Sequence, residues 1–417
     1  MQTGWAVCVA VVLATVCCAG EAATATAPES GTVLTGIDVL IQDGFAPLAG
    51  KRVGLITNPT GVTRDLRSTV DVLHKAEKVT LAALFGPEHG IRGDVYAGDK
   101  VEDTIDPITK LPMYSLYGKT HKPTPDMLKG LDALVYDIQD IGCRSYTYIN
   151  TMAHAMEAAA EQGIEFFVLD RPNPLTGNRV EGNILDPKFK SGIGQFEIPY
   201  VYGLTCGELA QMINGEGWLA GGVKCKLTVI KVKGWKRDMW FDQTGLPWVQ
   251  SSPQVPHAST ALFYVATGIM GELRVISEGV GYTMPFELAA APWIDSERFA
   301  AELNARKLPG VTFRPLTFKP YFGPYADKPC GGVQVHIVDR DKVRLVGVQF
   351  HVMDVHRKLY PDKKLFDTQR NGMFDKACGT DQVRKMFEAG ESADAVLKAW
   401  DTGAKAFAAP RAKYLLY

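Results

Sequence analysis

The sequence predicts an α/β protein in which a doubly wound, mostly parallel sheet is followed by a smaller α+β domain. From residue 30 to about 255, strand-like apolar runs alternate with helix-like segments, and this order builds parallel sheets with right-handed crossovers. The strand-like runs are continuously apolar, as in strands covered on both faces. At 417 residues the chain is also too long for one small core. We therefore expect a first domain at 30–255 and a second at 256–417.

Each element of the first domain has a local signal. "RVGLIT" (52–57) is an apolar run typical of a buried strand. The helix predicted at 68–76 has Ser68 as its N-cap, with Asp71 three residues later as in a capping box. Further strands are predicted at four apolar runs, 79–85, 111–117, 131–138 and 165–170.

Capping residues delimit the remaining helices. Thr124 is a predicted N-cap before a short helix that Gly130 ends. A longer helix is predicted at 145–163, with an apolar face and a closing glycine. "TCGELAQMINGEGWL" and "CKLTVIKV" then predict one more helix and one more strand.

The rhythm changes at 244–260, a segment rich in Pro, Ser and Gly that indicates a domain junction or a rim loop. Beyond it, the segments 296–310 and 331–339 and the stretch from "KLFDTQ" onwards indicate the smaller α+β domain, which ends in helices.

Composition excludes several classes of protein. With 45 basic and 46 acidic residues and a net charge of −1, the chain lacks the basic footprint of a nucleic-acid binder. No GxGxxG follows a strand, and neither a phosphate-binding P-loop motif nor a GxSxG elbow is present. Dinucleotide, nucleotide triphosphate and serine-hydrolase chemistry therefore lose their main support, and we predict no cofactor.

The N-terminus resembles an export signal. An apolar segment at 5–19 is followed by small residues, which predicts a signal peptide at about 1–25 and an exported, periplasmic or extracellular protein. A core strand or helix is the alternative, and lipid attachment at Cys17 or Cys18 ranks second because the residues before them fit poorly. The cysteines that follow are few and widely spaced, so at most one disulfide is expected: Cys143, Cys206, Cys225, Cys330 and Cys378.

Polar residues follow four of the predicted strands. In an open parallel sheet, ligands bind outside the carboxyl ends of the strands, so these loops are expected to meet at one edge. Any one of these residues could equally belong to an ordinary polar turn. Arg144 points more strongly to function, because a cation at a helix start is unfavourable by roughly 0.3–1 kcal/mol. The candidates are Asn58, Glu88, His89, Arg92, Gln139, Asp140, Arg144, Tyr146, Asp170, Arg171 and Asn173.

Two further motifs lie in the second domain. Glu278 precedes a Gly-x-Gly turn near the junction, where that domain could close over the sheet edge; an incidental carboxylate is the alternative. His351, Asp354 and His356 have a spacing that a metal could use, but a helix or strand surface explains it equally well, and no metal site is predicted.

Several motifs together resemble the bacterial exo-β-N-acetylmuramidase family, long catalogued as a domain of unknown function. They are "GLITNPTG", "FGPEHGIRG", "YDIQDIGCRSYTYI", "LDRPNPLTG…VEG", "LTCGELAQMIN", "SEGVGYTMPFELAAAPW" and "CGGVQVHIVD". The resemblance implies a Rossmann-like first domain, a cleft between the domains, and removal of terminal N-acetylmuramic acid from peptidoglycan fragments. It places the family's candidate catalytic glutamate at Glu88. At 272–280 the sequence departs from the family pattern by lacking a Thr-Asn pair and an arginine, which concerns substrate specificity rather than fold.

Glycoside hydrolysis needs a proton donor and a second group that attacks the anomeric carbon or activates water. Glu88 suits the acid role, and His89 could orient it or bind a sugar hydroxyl. The second group remains open among Asp140, Glu278 and Asp170, or it is the acetamido oxygen of the substrate itself.

An arginine is expected to bind the lactyl carboxylate of muramic acid, and Arg92, Arg144 and Arg171 are the predicted choices. The alternative function is a non-catalytic peptidoglycan-binding protein on the same fold. In either case the expected partner is a peptidoglycan-derived oligosaccharide.

Overall fold

The structure is a computed structural model that describes residues 32–93, 103–366 and 369–417. The predicted signal peptide lies outside these ranges. Within them, no helix combines the length and apolar character needed to cross a bilayer.

The first domain is a seven-stranded sheet in the order β3-β4-β2-β1-β5-β6-β7, parallel except for the antiparallel edge pair of β3 and β4. Its strands are β1 (Arg52–Thr57), β2 (Thr80–Gly86), β3 (Thr104–Ile105), β4 (Pro112–Ser115), β5 (Ala133–Asp137), β6 (Glu165–Leu169) and β7 (Lys226–Ile230). Its helices are α1 (Gly36–Gln42), α2 (Thr69–His74), α3 (Pro125–Leu128), α4 (Tyr148–Gln162) and α5 (Cys206–Gly215). The predicted fold class is confirmed.

The order of the sheet reverses at β1. The chain adds β2 and β4 on one side of β1 and β5, β6 and β7 on the other, so the switch point lies between β1 and β5. Both strands are almost wholly buried because helices cover the two faces of the sheet. Their carboxyl ends therefore lead into loops at the edge where doubly wound proteins bind ligands.

Local signals predicted most of these elements. Ser68 caps α2 by accepting a hydrogen bond from the Val70 N–H, and Thr124 caps α3 through the Met127 N–H. Gly163 ends α4 in the left-handed conformation, with φ 69°. No apolar pattern marks the two-residue edge strand β3, because both of its residues are exposed.

The second domain is smaller, with a three-stranded antiparallel sheet in the order β8-β10-β9. Its elements are α6 (Thr260–Gly271), β8 (Leu288–Ala291), α7 (Ser296–Asn304), β9 (Val311–Phe318), β10 (Cys330–Ile337), α8 (Leu345–Leu359), α9 (Asn371–Cys378), α10 (Gln382–Glu388), α11 (Ala393–Trp400) and α12 (Thr402–Ala412). Short 3₁₀ turns occur at Ala46–Leu48, Pro187–Phe189, Ala220–Gly222 and Phe241–Thr244.

The two domains are tied together by contacts between residues far apart in the sequence. Arg144, in the loop after β5, donates to the carbonyls of Ala377 and Cys378 in α9. The C-terminal residue returns to the first sheet, where the Tyr417 hydroxyl donates to Asp170 at 2.6 Å. These contacts fix the second domain against the carboxyl edge of the first.

Candidate active site

A cleft of about 750 Å³ opens between the carboxyl edge of the first sheet and the second domain. Glu88 and Tyr117 reach it from the loops after β2 and β4, and Thr147 reaches it from the loop after β5. Glu278 and Phe322 line it from the second domain. The size suits one or two sugar rings, within the ordinary range for small-molecule sites of about 300–1,000 Å³.

Glu88 is surrounded by hydrogen-bonding groups. The Thr147 hydroxyl donates to Glu88 Oε2 at 2.8 Å. Tyr117 lies close enough that burial and the negative charge of Glu88 together raise the pKa of its phenol to about 12. Glu88 therefore lies among hydroxyl groups that donate hydrogen bonds to its carboxyl oxygens.

His89, which follows Glu88, is buried and also lines the cleft. Its φ is 71°, in the left-handed region that non-glycine residues seldom occupy. Gly90 continues the turn with φ 72°. Strained backbone at a cleft is a recognised mark of a functional residue, and this turn directs both Glu88 and His89 to the same wall.

Glu278 has the opposite kind of surrounding. It is half-buried against α6, where a Cβ on Gly271 would lie 2.5 Å from its carboxyl carbon. Apart from its own backbone N–H, no hydrogen-bond donor among the described residues contacts the carboxyl group. Burial, reinforced by the nearby Glu272, therefore raises the pKa of Glu278 to about 7, although Arg274 opposes the rise. This glutamate retains its proton near neutral pH.

Tyrosines form one wall of the cleft. Tyr146 bonds Ser251 Oγ at 2.7 Å, and the Tyr148 hydroxyl donates to the Ser251 carbonyl. The two rings meet edge to face, with centroids 4.9 Å apart. Tyr264 packs on Tyr146 in the same manner at 5.8 Å. Aromatic faces with hydroxyl tips suit the mixed apolar and polar faces of a sugar.

The other two predicted carboxylates do not line the cleft. Asp140 accepts from the Tyr202 hydroxyl at 2.5 Å and from the Gly142 N–H, while burial raises its pKa to about 6. Asp170 accepts from the hydroxyls of Thr205 and Tyr417, and burial likewise raises its pKa to about 6. Both carboxylates hold neighbouring chain segments together, so of the three choices for a second catalytic group only Glu278 is in place.

The three predicted arginines are also engaged elsewhere. Arg144 is buried and donates to four backbone carbonyls, those of Asn183, Ile198, Ala377 and Cys378. Arg171 pairs with Asp137 at 2.6 Å, and Arg92 pairs with Asp106 at 2.8 Å. None of them lines the cleft. Each guanidinium group is used by the fold itself, and a contact of any of the three with the substrate carboxylate stays a prediction.

The predicted amides likewise organise the loops. Asn58 accepts from the Thr60 N–H and hydroxyl, and Gln139 donates to the Asp140 and Pro172 carbonyls. Asn173 donates to the Leu204 carbonyl. Because ligands bind outside the carboxyl ends of parallel strands, we expected these amides to lie close together at that edge. They do lie there, but beside the cleft rather than in it. Of the residues predicted from the sequence, the cleft receives Glu88, His89, Tyr146 and Glu278.

Sequence reasoning missed several residues that line the cleft. Thr147 precedes α4 but makes no capping bond, because its hydroxyl is used by Glu88. Arg274 and Arg370 supply positive charge, and Arg370 pairs with Glu272 at 3.0 Å. One sequence feature could have identified Arg274 as a cleft residue. It lies in the segment 272–280, where the sequence departs from the family pattern, and residues of this segment line the cleft.

Neither a metal cluster nor a disulfide forms among the described residues. Asp354 pairs with Arg306 and Arg357, while His356 accepts from the Trp293 indole N–H. These contacts, made from different sides of α8, account for the polar residues of "HVMDVH". All five cysteines after the predicted signal peptide are buried and free.

Two carboxyl groups of contrasting surroundings, set with tyrosines in a cleft between the two domains, fit the class of the glycoside hydrolases. The N-terminal and C-terminal models of the exo-β-N-acetylmuramidase NamZ family match residues 53–259 and 262–417. The chain belongs to this family.

Relatives of the chain agree with this assignment. The peptidoglycan β-N-acetylmuramidase NamZ of Bacillus subtilis (strain 168) is 48% identical over 385 residues, which are 92% of this chain and 91% of that protein. A crystal structure of a DUF1343 family protein from Bacteroides fragilis NCTC 9343 superposes with a TM-score of 0.89 at 52% identity, covering 93% of this chain and 100% of the other. A second from the same organism gives 0.75 at 32% identity, covering 92% and 99%.

Proposed function

We propose that this protein is an exo-β-N-acetylmuramidase that removes N-acetylmuramic acid from the non-reducing end of peptidoglycan fragments. The observation that carries the proposal is the pair of carboxyl groups in one cleft, Glu88 among hydroxyl donors and Glu278 packed beside Gly271 of α6, where burial raises its pKa. Membership of the family and the name of its Bacillus subtilis relative support the identity of the sugar.

The contrast in surroundings assigns the two roles. Glu278, which retains its proton near neutral pH, donates that proton to the glycosidic oxygen as the bond to the anomeric carbon breaks. Glu88, which accepts a hydrogen bond from Thr147, is the carboxyl group assigned to stabilise the positive charge that develops at the anomeric carbon. Water then supplies hydroxide to that carbon, and its remaining proton restores Glu278. This assignment reverses the acid role that the sequence suggested for Glu88.

Arg274 is the group proposed to bind the lactyl carboxylate of muramic acid. It lines the cleft with φ 56°, a strained conformation for an arginine. Apart from its attraction to Glu278, no hydrogen bond or ion pair within the described ranges engages its side chain. Arg370, by contrast, is already paired with Glu272. A guanidinium group without another partner is suited to a substrate carboxylate.

The sequence of residues 1–25 supports an exported protein, working in the periplasm or outside the cell where its substrate lies.

The experiment that tests the activity is incubation of purified protein with a disaccharide in which N-acetylmuramic acid is β-linked to N-acetylglucosamine. We expect free N-acetylmuramic acid by mass spectrometry, and no product from the disaccharide of reversed order. A double Glu88→Gln, Glu278→Gln variant is the matched control. Binding of the disaccharide without release of either sugar would favour the non-catalytic glycan-binding function instead.

A further inference from the structure

Two neighbouring aromatic side chains stand exposed at the mouth of the cleft. Tyr321 is 69% exposed and Phe322 is 52% exposed. Among the large apolar side chains that the structure describes as exposed, these are the aromatic ones; the others are Leu66, Ile105, Ile108 and Val338. Phe322 also lines the cleft itself. Exposed aromatic surface that continues a binding cleft commonly marks a contact with ligand.

The aromatic pair is held in place by the segment that carries Glu278. The Tyr321 N–H donates to the Gly281 carbonyl at 2.8 Å. Gly281 has φ 97°, and a Cβ there would lie 2.3 Å from the Phe322 carbonyl oxygen, so only glycine permits this approach. Tyr282 stacks on the Tyr321 ring with centroids 5.8 Å apart, and Tyr282 also packs on buried Phe318. The two exposed rings therefore stand on an ordered support.

The loop that bears the pair is closed on itself as well. The Asp327 N–H donates to the Pro320 carbonyl at 3.0 Å. The Tyr325 hydroxyl donates to the Val275 carbonyl at 2.8 Å, which ties the far side of the loop to the segment before Glu278. A fixed loop loses little conformational entropy when a ligand binds, and preorganised aromatic groups are effective anchors.

We propose that Tyr321 and Phe322 form a stacking platform for the sugar on the leaving-group side of the scissile bond, the N-acetylhexosamine to which the terminal muramic acid is joined. The inference rests on the proposed function. An exo-acting enzyme encloses the terminal sugar, here beside Glu88 and Glu278, and the rest of the glycan must pass out through the mouth. The apolar C–H face of a pyranose ring packs on an aromatic ring, as apolar groups do generally.

The platform predicts a dependence on the aglycone that the inner site does not share. The substrates for the test are the disaccharide and the methyl β-glycoside of N-acetylmuramic acid, which have similarly poor leaving groups but differ in the outer ring. Wild-type kcat/KM should be higher for the disaccharide. Phe322→Ala and Tyr321→Ala should each raise KM for the disaccharide by about tenfold, a clearly larger loss than either causes on the methyl glycoside.

Controls separate the platform from general effects. Val338→Ala removes an equally exposed apolar side chain of the second domain that does not line the cleft, and should change neither substrate. Tyr321→Phe keeps the ring and should retain the preference for the disaccharide. Since both platform side chains are exposed, thermal unfolding of the alanine variants should match the wild type.

Two results would overturn the platform. The first is equal kcat/KM for the two substrates in the wild type, and the second is an equal loss on both substrates in Phe322→Ala. Calorimetric titration of the double Glu88→Gln, Glu278→Gln protein with both glycosides tests the platform without turnover. If the wild type hydrolyses neither glycoside, the proposed function fails, while tighter binding of the disaccharide, lost on Phe322→Ala, would still support the platform.

Discussion

Replacing Glu278 by glutamine tests the assignment of the proton donor. Glutamine keeps the size of the side chain, so it fits beside Gly271 and α6, but it has no acidic proton to give. Because a sugar alkoxide is a poor leaving group, we expect kcat on the disaccharide to fall by about 10²–10⁴-fold. An aryl glycoside whose leaving group needs little protonation should lose about tenfold or less.

The magnitude of the pH effect follows from the raised pKa. Burial takes Glu278 from an ordinary 4.5 to about 7, so the protonated fraction falls about tenfold for each pH unit above neutrality. Wild-type kcat/KM on the disaccharide should follow that fall, and the glutamine variant should lose this dependence. Thermal unfolding gives a second reading. The wild type loses stability as pH rises from 4.5 through 7, because ionising a buried carboxyl group disfavours the folded state, whereas the variant does not.

The assay measures kcat/KM on the disaccharide and on an aryl glycoside between pH 5 and 9, with Glu88→Gln beside Glu278→Gln. Loss of Glu88 should damage both substrates, because charge at the anomeric carbon develops with either leaving group. The reasoning is refuted if Glu88→Gln shows the leaving-group dependence and Glu278→Gln does not. In that case Glu88 is the acid, as its sequence motif first suggested.

Three further outcomes are expected. Arg274→Met should raise KM for muramic substrates by about 10- to 100-fold and leave KM for N-acetylglucosaminides unchanged. The control is Arg314→Met, which replaces an exposed arginine outside the cleft. If the variant still discriminates between the two sugars as the wild type does, Arg274 does not recognise the substrate. Arg144→Met should lower the free energy of unfolding in urea by about 3–5 kcal/mol, because four backbone carbonyls lose their donor. KM of the folded protein should be unchanged. A variant that is as stable as the wild type but has a raised KM would show that Arg144 contacts the substrate. Intact mass of the protein recovered from its native host should lack about the first 20–25 residues, and a mass retaining Met1–Ala19 would exclude cleavage there.

The sequence alone determined most elements of the first domain and the fold class. The strand β1, for example, depends on six adjacent residues whose apolar run predicts a buried strand, and the caps at Ser68 and Thr124 are equally local. Such signals depend on a few adjacent residues, so they can be recognised without knowing the fold. Glu88 and Glu278 could be predicted as candidate site residues for the same reason, since each precedes glycines that break an apolar pattern.

Only the tertiary structure decided which polar residues face the cleft. The topology of a parallel sheet predicts which loops meet at its carboxyl edge, but it does not predict where their side chains point. The groups that bond those side chains come from distant parts of the chain. Asp170 is held by Tyr417, 247 residues away, and Arg144 by carbonyls 233 and 234 residues away. The burial of the Glu278 carboxyl group likewise arises from its packing on α6. A buried polar group must find partners wherever the fold brings them, so the division between structural and catalytic carboxylates exists only once the two domains are packed together.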